Sequence, residues 1–60
     1  MTDWKGLSAA FKKKRKRGLS YHTIQGFIAL GMPHVHEGRY RLFDTEACWQ
    51  WYLERFTVAA

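Results

Sequence analysis

The residues best equipped for chemistry lie in two neighbouring stretches. Lys12-Lys13-Lys14-Arg15-Lys16-Arg17 sets six cations in a row. Each one that neutralises a phosphate releases counterions, so such a run adds salt-dependent affinity without sequence choice. Ser20-Tyr21-His22-Thr23-Ile24-Gln25 follows, rich in hydrogen-bond formers. Ser20, Tyr21 and His22 suit phosphates. Thr23 and Gln25 suit phosphates or base edges, and glutamine can pair bidentately with adenine. The plainer alternatives are a solvated or localisation-like basic patch and the polar face of an ordinary short helix. A third set is Arg39 and Arg41, with His34 and His36 close by. An arginine at a hairpin tip can enter a minor groove or clamp its phosphates. Against this stands the reading of simple outward-facing strand residues.

Other chemistries find less support. His22, His34, His36 and Cys48 are the soft metal ligands, but the Cys-x-x-Cys and His-x-x-x-His spacings of structural zinc sites are missing. Neither metal nor cofactor is expected. The five carboxylates are scattered, and Asp3, Asp44 and Glu46 read as helix-cap or first-turn residues. No nucleophile stands beside a base, and so short a chain leaves little room for a substrate pocket. The expectation is a protein that is not an enzyme.

The elements that must position these groups can be read from spacing. Leu7, Ala10 and Phe11 fall at i, i+3 and i+4, one face of a short first helix that Asp3 can cap and Trp4 extends. Residues 1–5 read as a partly ordered lead-in. Mutual repulsion along Lys12–Arg17 predicts that this helix frays there and gives way to a loop ending at Gly18. Ser20 caps a second helix to about Leu30, with Ile24, Phe27 and Ile28 as its apolar stripe. Gly31 ends it in a left-handed conformation and Pro33 prevents a restart. Residues 34–36 and 39–43 alternate as strands, with Val35, Tyr40 and Leu42 on one face, Arg39 and Arg41 on the other, and Glu37-Gly38 as the turn. An isolated hairpin is marginal, so this wing must pack on the helices. Asp44 caps a third helix, from about Thr45 to Phe56, with Glu46 favourable to the dipole. Val58 and the final alanines read as a fraying tail. The sum is a small α+β chain: three helices and a two-stranded wing, a winged helix-turn-helix with a lengthened, basic turn.

Composition sets the limits. Sixty residues make a single domain, 1–60. A chain this size buries only about 60% of its unfolded surface and gains from a staple or a partner. One cysteine excludes an internal disulfide. Three Trp, three Tyr and four Phe supply the core instead. The net charge of +5 and a pI near 9.8 favour a polyanion as partner. A membrane surface is the competing polyanion, but no apolar run can span a bilayer and no signal peptide is recognisable. The reading is intracellular, which a lone thiol permits.

Helix 3 carries two stripes. Ala47, Cys48, Trp51 and Tyr52 should face the core. Trp49, Leu53 and Phe56 form a second stripe on another face. Either it meets another chain, or the N-terminal segment with Trp4 folds over it. A protein-interaction module with no DNA role is therefore the rival from another class.

Thr23-Ile24-Gln25, Gly31-Met32-Pro33, Phe43-Asp44 and Trp51-Tyr52-x-Glu54-Arg55 stand in one order across about residues 19–56. In that order they resemble the DNA-binding domain of lambda-type phage terminase small subunits. The resemblance implies a winged helix-turn-helix with Ser20–Gln25 in a major groove and the wing around Gly38–Arg41 in the adjacent minor groove. It makes Trp51 and Tyr52 structural, double-stranded DNA the partner, packaging of phage DNA the process and the bacterial cytoplasm the location. Two departures stand out. The connection into Ser20 is longer and more basic than in that family, and looks more like a phage excisionase of the same superfamily. The sequence also ends after helix 3, where terminase small subunits continue into a segment that assembles and meets the large motor subunit. The expectation is a stand-alone module: an excisionase or small transcription regulator, or an element that dimerises or pairs with a phage terminase small subunit through Trp49, Leu53 and Phe56. The last would redirect packaging, as mobile elements that parasitise phages do.

Overall fold

Asp3 opens the structure's first helix, its carboxylate accepting from the Gly6 N–H at 3.0 Å. A computed structural model describes residues 1–58. Helix α1 (Trp4–Arg15) and helix α2 (Tyr21–Ala29) precede an antiparallel hairpin of β1 (Val35–Glu37) and β2 (Tyr40–Leu42). Helix α3 (Thr45–Phe56) closes the order. This is the small α+β winged helix-turn-helix that the spacing predicts. Ala59 and Ala60, expected as part of a fraying tail, lie outside the described residues; Val58 follows α3 and is exposed.

Helix α1 does not fray at the basic run. It continues through Arg15, and Lys16 caps it in the left-handed region at φ 65°, its N–H donating to the Lys12 carbonyl at 2.8 Å. Two effects outweigh repulsion between like charges. Cations favour the negative end of the helix dipole. Lys14 and Arg15 also continue the Leu7–Phe11 face, at i+7 and i+8 from Leu7, and find partners on it. Lys14 Nζ lies 3.9 Å from Glu46 and 5.5 Å from the Trp49 ring centre. The Arg15 guanidinium lies over the Phe11 and Tyr52 rings.

The N-terminal lead-in is ordered as well. Thr2 and Phe43 exchange both backbone hydrogen bonds, at 2.9 and 2.7 Å, which ties the chain start to the end of the wing. Gly6 permits this approach, because a side chain there would run into the Thr2 hydroxyl. Helix α2 starts one residue after its cap Ser20, and Gly31 takes φ 107° beyond its end.

The wing's turn sits one residue later than the alternation suggests. Val35 pairs with Leu42, His36 with Arg41 and Glu37 with Tyr40, so the two-residue loop is Gly38-Arg39. Gly38 has φ 59° and Arg39 does not have a positive φ, the type II′ pattern that takes glycine first. Arg39 is thereby a loop-tip residue. The alternation itself holds, but Val35 and Tyr40 face outward, Tyr40 at 71% exposure. The wing attaches instead through Phe43, Thr2 and the face bearing Arg41.

Leu7, Phe11, Leu19, Ile24, Met32, Phe43 and Cys48 form the buried core. Leu19, Met32 and Phe43 come from junctions between elements. Trp51 and Tyr52 pack against this core from α3, as expected of its inner stripe. Asp44 caps α3, accepting from the Glu46 and Ala47 N–H groups.

Cys48 is fully buried and its Sγ donates to the Pro33 carbonyl at 3.2 Å. Burial, and secondarily the Asp44 carboxylate, push the thiol up from 9.0 to about 11. Below pH 9 both folded and unfolded chains keep this proton. Between pH 9 and 11 the unfolded chain loses it first, so stability falls as pH rises, by about 2 kcal/mol from this group. Denaturant melts of the native chain should therefore decline more steeply across that window than those of Cys48→Ala. Equal declines would show the thiol is not held protonated by the fold.

Candidate nucleic-acid interface

The first turn of α2 presents its polar groups in two directions. Ser20 Oγ accepts from the Thr23 N–H at 3.1 Å and shares a 2.9 Å bond with the Thr23 hydroxyl, so both residues help to start the helix. His22 and Thr23 are exposed, with Gly26 one turn on, and make up the outward face. No acidic residue occupies this first turn. The positive end of the helix dipole is thus uncompensated there, as an anion contact requires.

Tyr21, Gln25 and Ile28 face the other way, at i, i+4 and i+7, toward the wing. Together with Trp4, Ile24, His36, Arg39, Arg41 and Phe43 they line a cleft of about 500 Å³. Tyr21 is held by Trp4, ring edge to ring face, with 5.5 Å between centres. Gln25 is half-buried, and its Oε1 accepts from Arg41 Nη1 at 3.0 Å. One hydrogen bond thus joins the helix to the wing. No carboxylate lines the cleft. His36 belongs to this set, whereas His34 turns away, its Nδ1 bonded to the Met32 carbonyl at 2.9 Å.

The six-residue basic run divides in two. Lys12, Lys13, Lys16 and Arg17 are exposed at the end of α1 and in the connection. Arg15, expected among the phosphate contacts, is engaged within the fold. Its Nε donates to the Arg17 carbonyl at 2.9 Å, Nη2 to the Gly18 carbonyl at 2.8 Å and Nη1 to the Tyr52 hydroxyl at 3.2 Å. It holds the turn of the helix-turn-helix closed against α3. Lys14 is partly engaged by Glu46 and Trp49. Ser8, unremarked in the sequence, also fixes this turn by accepting from the Leu19 N–H at 2.9 Å.

The second stripe of α3 is not a continuous free face. Trp49 packs on Phe11 and stacks on Tyr52, at 5.2 and 5.3 Å between ring centres. Phe56 meets Phe27 of α2 at 5.4 Å yet remains 44% exposed, and Leu53 is 38% exposed. Trp4, the alternative cover, sits at the cleft instead. Trp49 therefore belongs with the inner packing, while Leu53 and Phe56 stay accessible.

Among the described residues no group of three or more His, Cys, Asp or Glu gathers as a metal site, and no helix is long and apolar enough to cross a membrane. Comparison with protein-family models, with curated proteins and with solved structures finds no match.

Proposed function

We propose that this chain is a non-catalytic module that binds specific double-stranded DNA, acting in the cytoplasm of a bacterial host in phage DNA packaging. Helix α2 enters the major groove and presents His22 and Thr23. The Gly38-Arg39 tip of the wing enters the adjacent minor groove. Lys12, Lys13, Lys16 and Arg17 neutralise phosphates. The observation that carries the reading is the pairing of a polar helix start free of acidic residues with an arginine-bearing wing across one carboxylate-free cleft. The sequence resemblance to terminase small subunits supplies the process. Leu53 and Phe56 remain as the contact to a second copy or to a phage terminase small subunit.

A second reading within the DNA-binding class is an excisionase or small regulator. It is favoured by the five-residue connection Lys16–Ser20 between α1 and α2.

The test is light scattering with size exclusion on the chain alone and with a random-sequence duplex at low and moderate salt. The expected result is a complex whose affinity falls by about 10³ or more between 50 and 200 mM salt. No complex at the lower salt overturns the reading and leaves the protein-interaction module in its place.

A further inference from the structure

The cleft between α2 and the wing is rich in hydrogen-bond donors and lined by no carboxylate. Its floor is apolar, made by Ile24, Ile28 and Phe43. Around that floor stand Trp4, Tyr21, His36, Arg39 and Arg41, whose indole, hydroxyl, imidazole and guanidinium groups can all donate. Gln25 brings the one amide oxygen among the lining side chains, and Arg41 Nη1 already donates to it at 3.0 Å. An incoming ligand therefore meets the Gln25 NH₂ and two guanidinium groups, and no carboxylate.

This arrangement changes what Gln25 can read. A bidentate pair with adenine needs the amide oxygen to accept and the amide nitrogen to donate. Arg41 already occupies one of the two lone pairs of that oxygen, so Gln25 keeps both N–H donors but has less accepting capacity left for a base edge. The same bond orients Arg41 without cancelling its charge, because the partner is a neutral amide. A glutamate at position 25 would orient it equally well and neutralise it.

We infer that this cleft seats a phosphodiester group and that Gln25 is a positioning residue for Arg41. The inference rests on the duplex-DNA reading above. A helix in a major groove and a wing in the next minor groove straddle one strand, and that strand's backbone must pass between them. Holding Arg41 in place beforehand reduces the side-chain ordering that binding would otherwise require. Arg39, at the loop tip, reaches the same strand from the other side of the cleft.

Two probes separate this assignment from the one it rests on. The dinucleotide dTpdT carries a single phosphodiester, and a short random-sequence duplex carries many. Each is titrated into ¹⁵N-labelled protein while the side-chain N–H signals of Gln25, Arg39 and Arg41 are followed by NMR. Saturable shifts of the Gln25 and Arg41 signals with dTpdT are expected, and the Arg41 shift should be lost in Gln25→Glu. Arg41→Ala should weaken the duplex about tenfold, the equivalent of one charge-assisted hydrogen bond. Gln25→Ala should weaken it less, and the double variant no more than Arg41→Ala alone, because the two act as a unit. Additive losses, or binding of the duplex with the cleft signals unmoved, overturn the assignment and leave the DNA reading intact. Saturable seating of dTpdT in the cleft without any duplex binding does the reverse. No response to either probe overturns both.

Discussion

Phe11→Ala will remove a third or more of the chain's stability. Phe11 is fully buried and is the ring on which α3 rests, with Trp49 and Tyr52 edge-on at 5.2 and 5.4 Å. The Arg15 guanidinium covers it from the side. Truncating a buried phenylalanine costs about 3–5 kcal/mol in transfer and cavity terms. At roughly 0.05–0.15 kcal/mol per residue, a chain of this length holds about 3–9 kcal/mol in all. The loss is of the same order as the whole. Far-UV and near-UV circular dichroism with a denaturant melt will read it, as a midpoint shifted well toward lower denaturant or, where the loss reaches the whole, no cooperative transition. Leu53→Ala on the same helix as Trp49 is the comparison: at 38% exposure it should change stability by no more than about 0.5–1 kcal/mol. A Phe11→Ala variant within about 1 kcal/mol of the parent would mean that the core is carried elsewhere.

The same residues explain what spacing could and could not disclose. Leu7, Phe11, Ile24 and Cys48 lie inside helices at regular intervals, and the apolar period finds them. Asp3, Ser20 and Asp44 cap helices because each precedes an apolar run, a local relation that the sequence states outright. Leu19, Met32 and Phe43 are equally buried but stand at junctions, where no period runs and only the closed fold brings them together. The hairpin follows the same division. Alternation assigns its faces, but the turn is decided by which pair closes, and Gly38 serves at the first loop position instead of the second. Trp4 joins the cleft and Thr2 pairs with Phe43 across some forty residues, contacts that no local pattern encodes. The extent of α1 was legible in principle. Lys14 and Arg15 continue the Leu7–Phe11 face, and reading them as a like-charged run hid that period. The Gln25–Arg41 bond illustrates the remaining limit: residue type marks both as chemical, but only the fold makes them partners.

Charge should separate along the same line. Replacing Lys12, Lys13, Lys16 and Arg17 with glutamine is expected to flatten the dependence of log affinity on log salt by up to about 3.6, since each phosphate contact contributes about 0.9. The net charge falls from +5 to +1, the four removed cations subtracted from the total, so relieved self-repulsion offsets the lost helix-dipole contribution of Lys12 and Lys13 and the melting temperature should change little. Lys14→Gln with Arg15→Gln removes only two cations and should act elsewhere. Arg15 gives up three hydrogen bonds and its position over two rings, which loosens the turn against α3. A stability loss of about 1–2 kcal/mol with a nearly unchanged salt slope is the expected result, after allowance for partial exposure. Fluorescence anisotropy of a labelled duplex over a salt series, beside thermal melts of both variants, reads the two effects separately. If the pair flattens the slope as strongly as the quartet, Lys14 and Arg15 leave their internal partners when DNA arrives. If the quartet leaves the slope unchanged, the exposed cations are bystanders, and whatever affinity the chain has for DNA must come from the cleft and the wing.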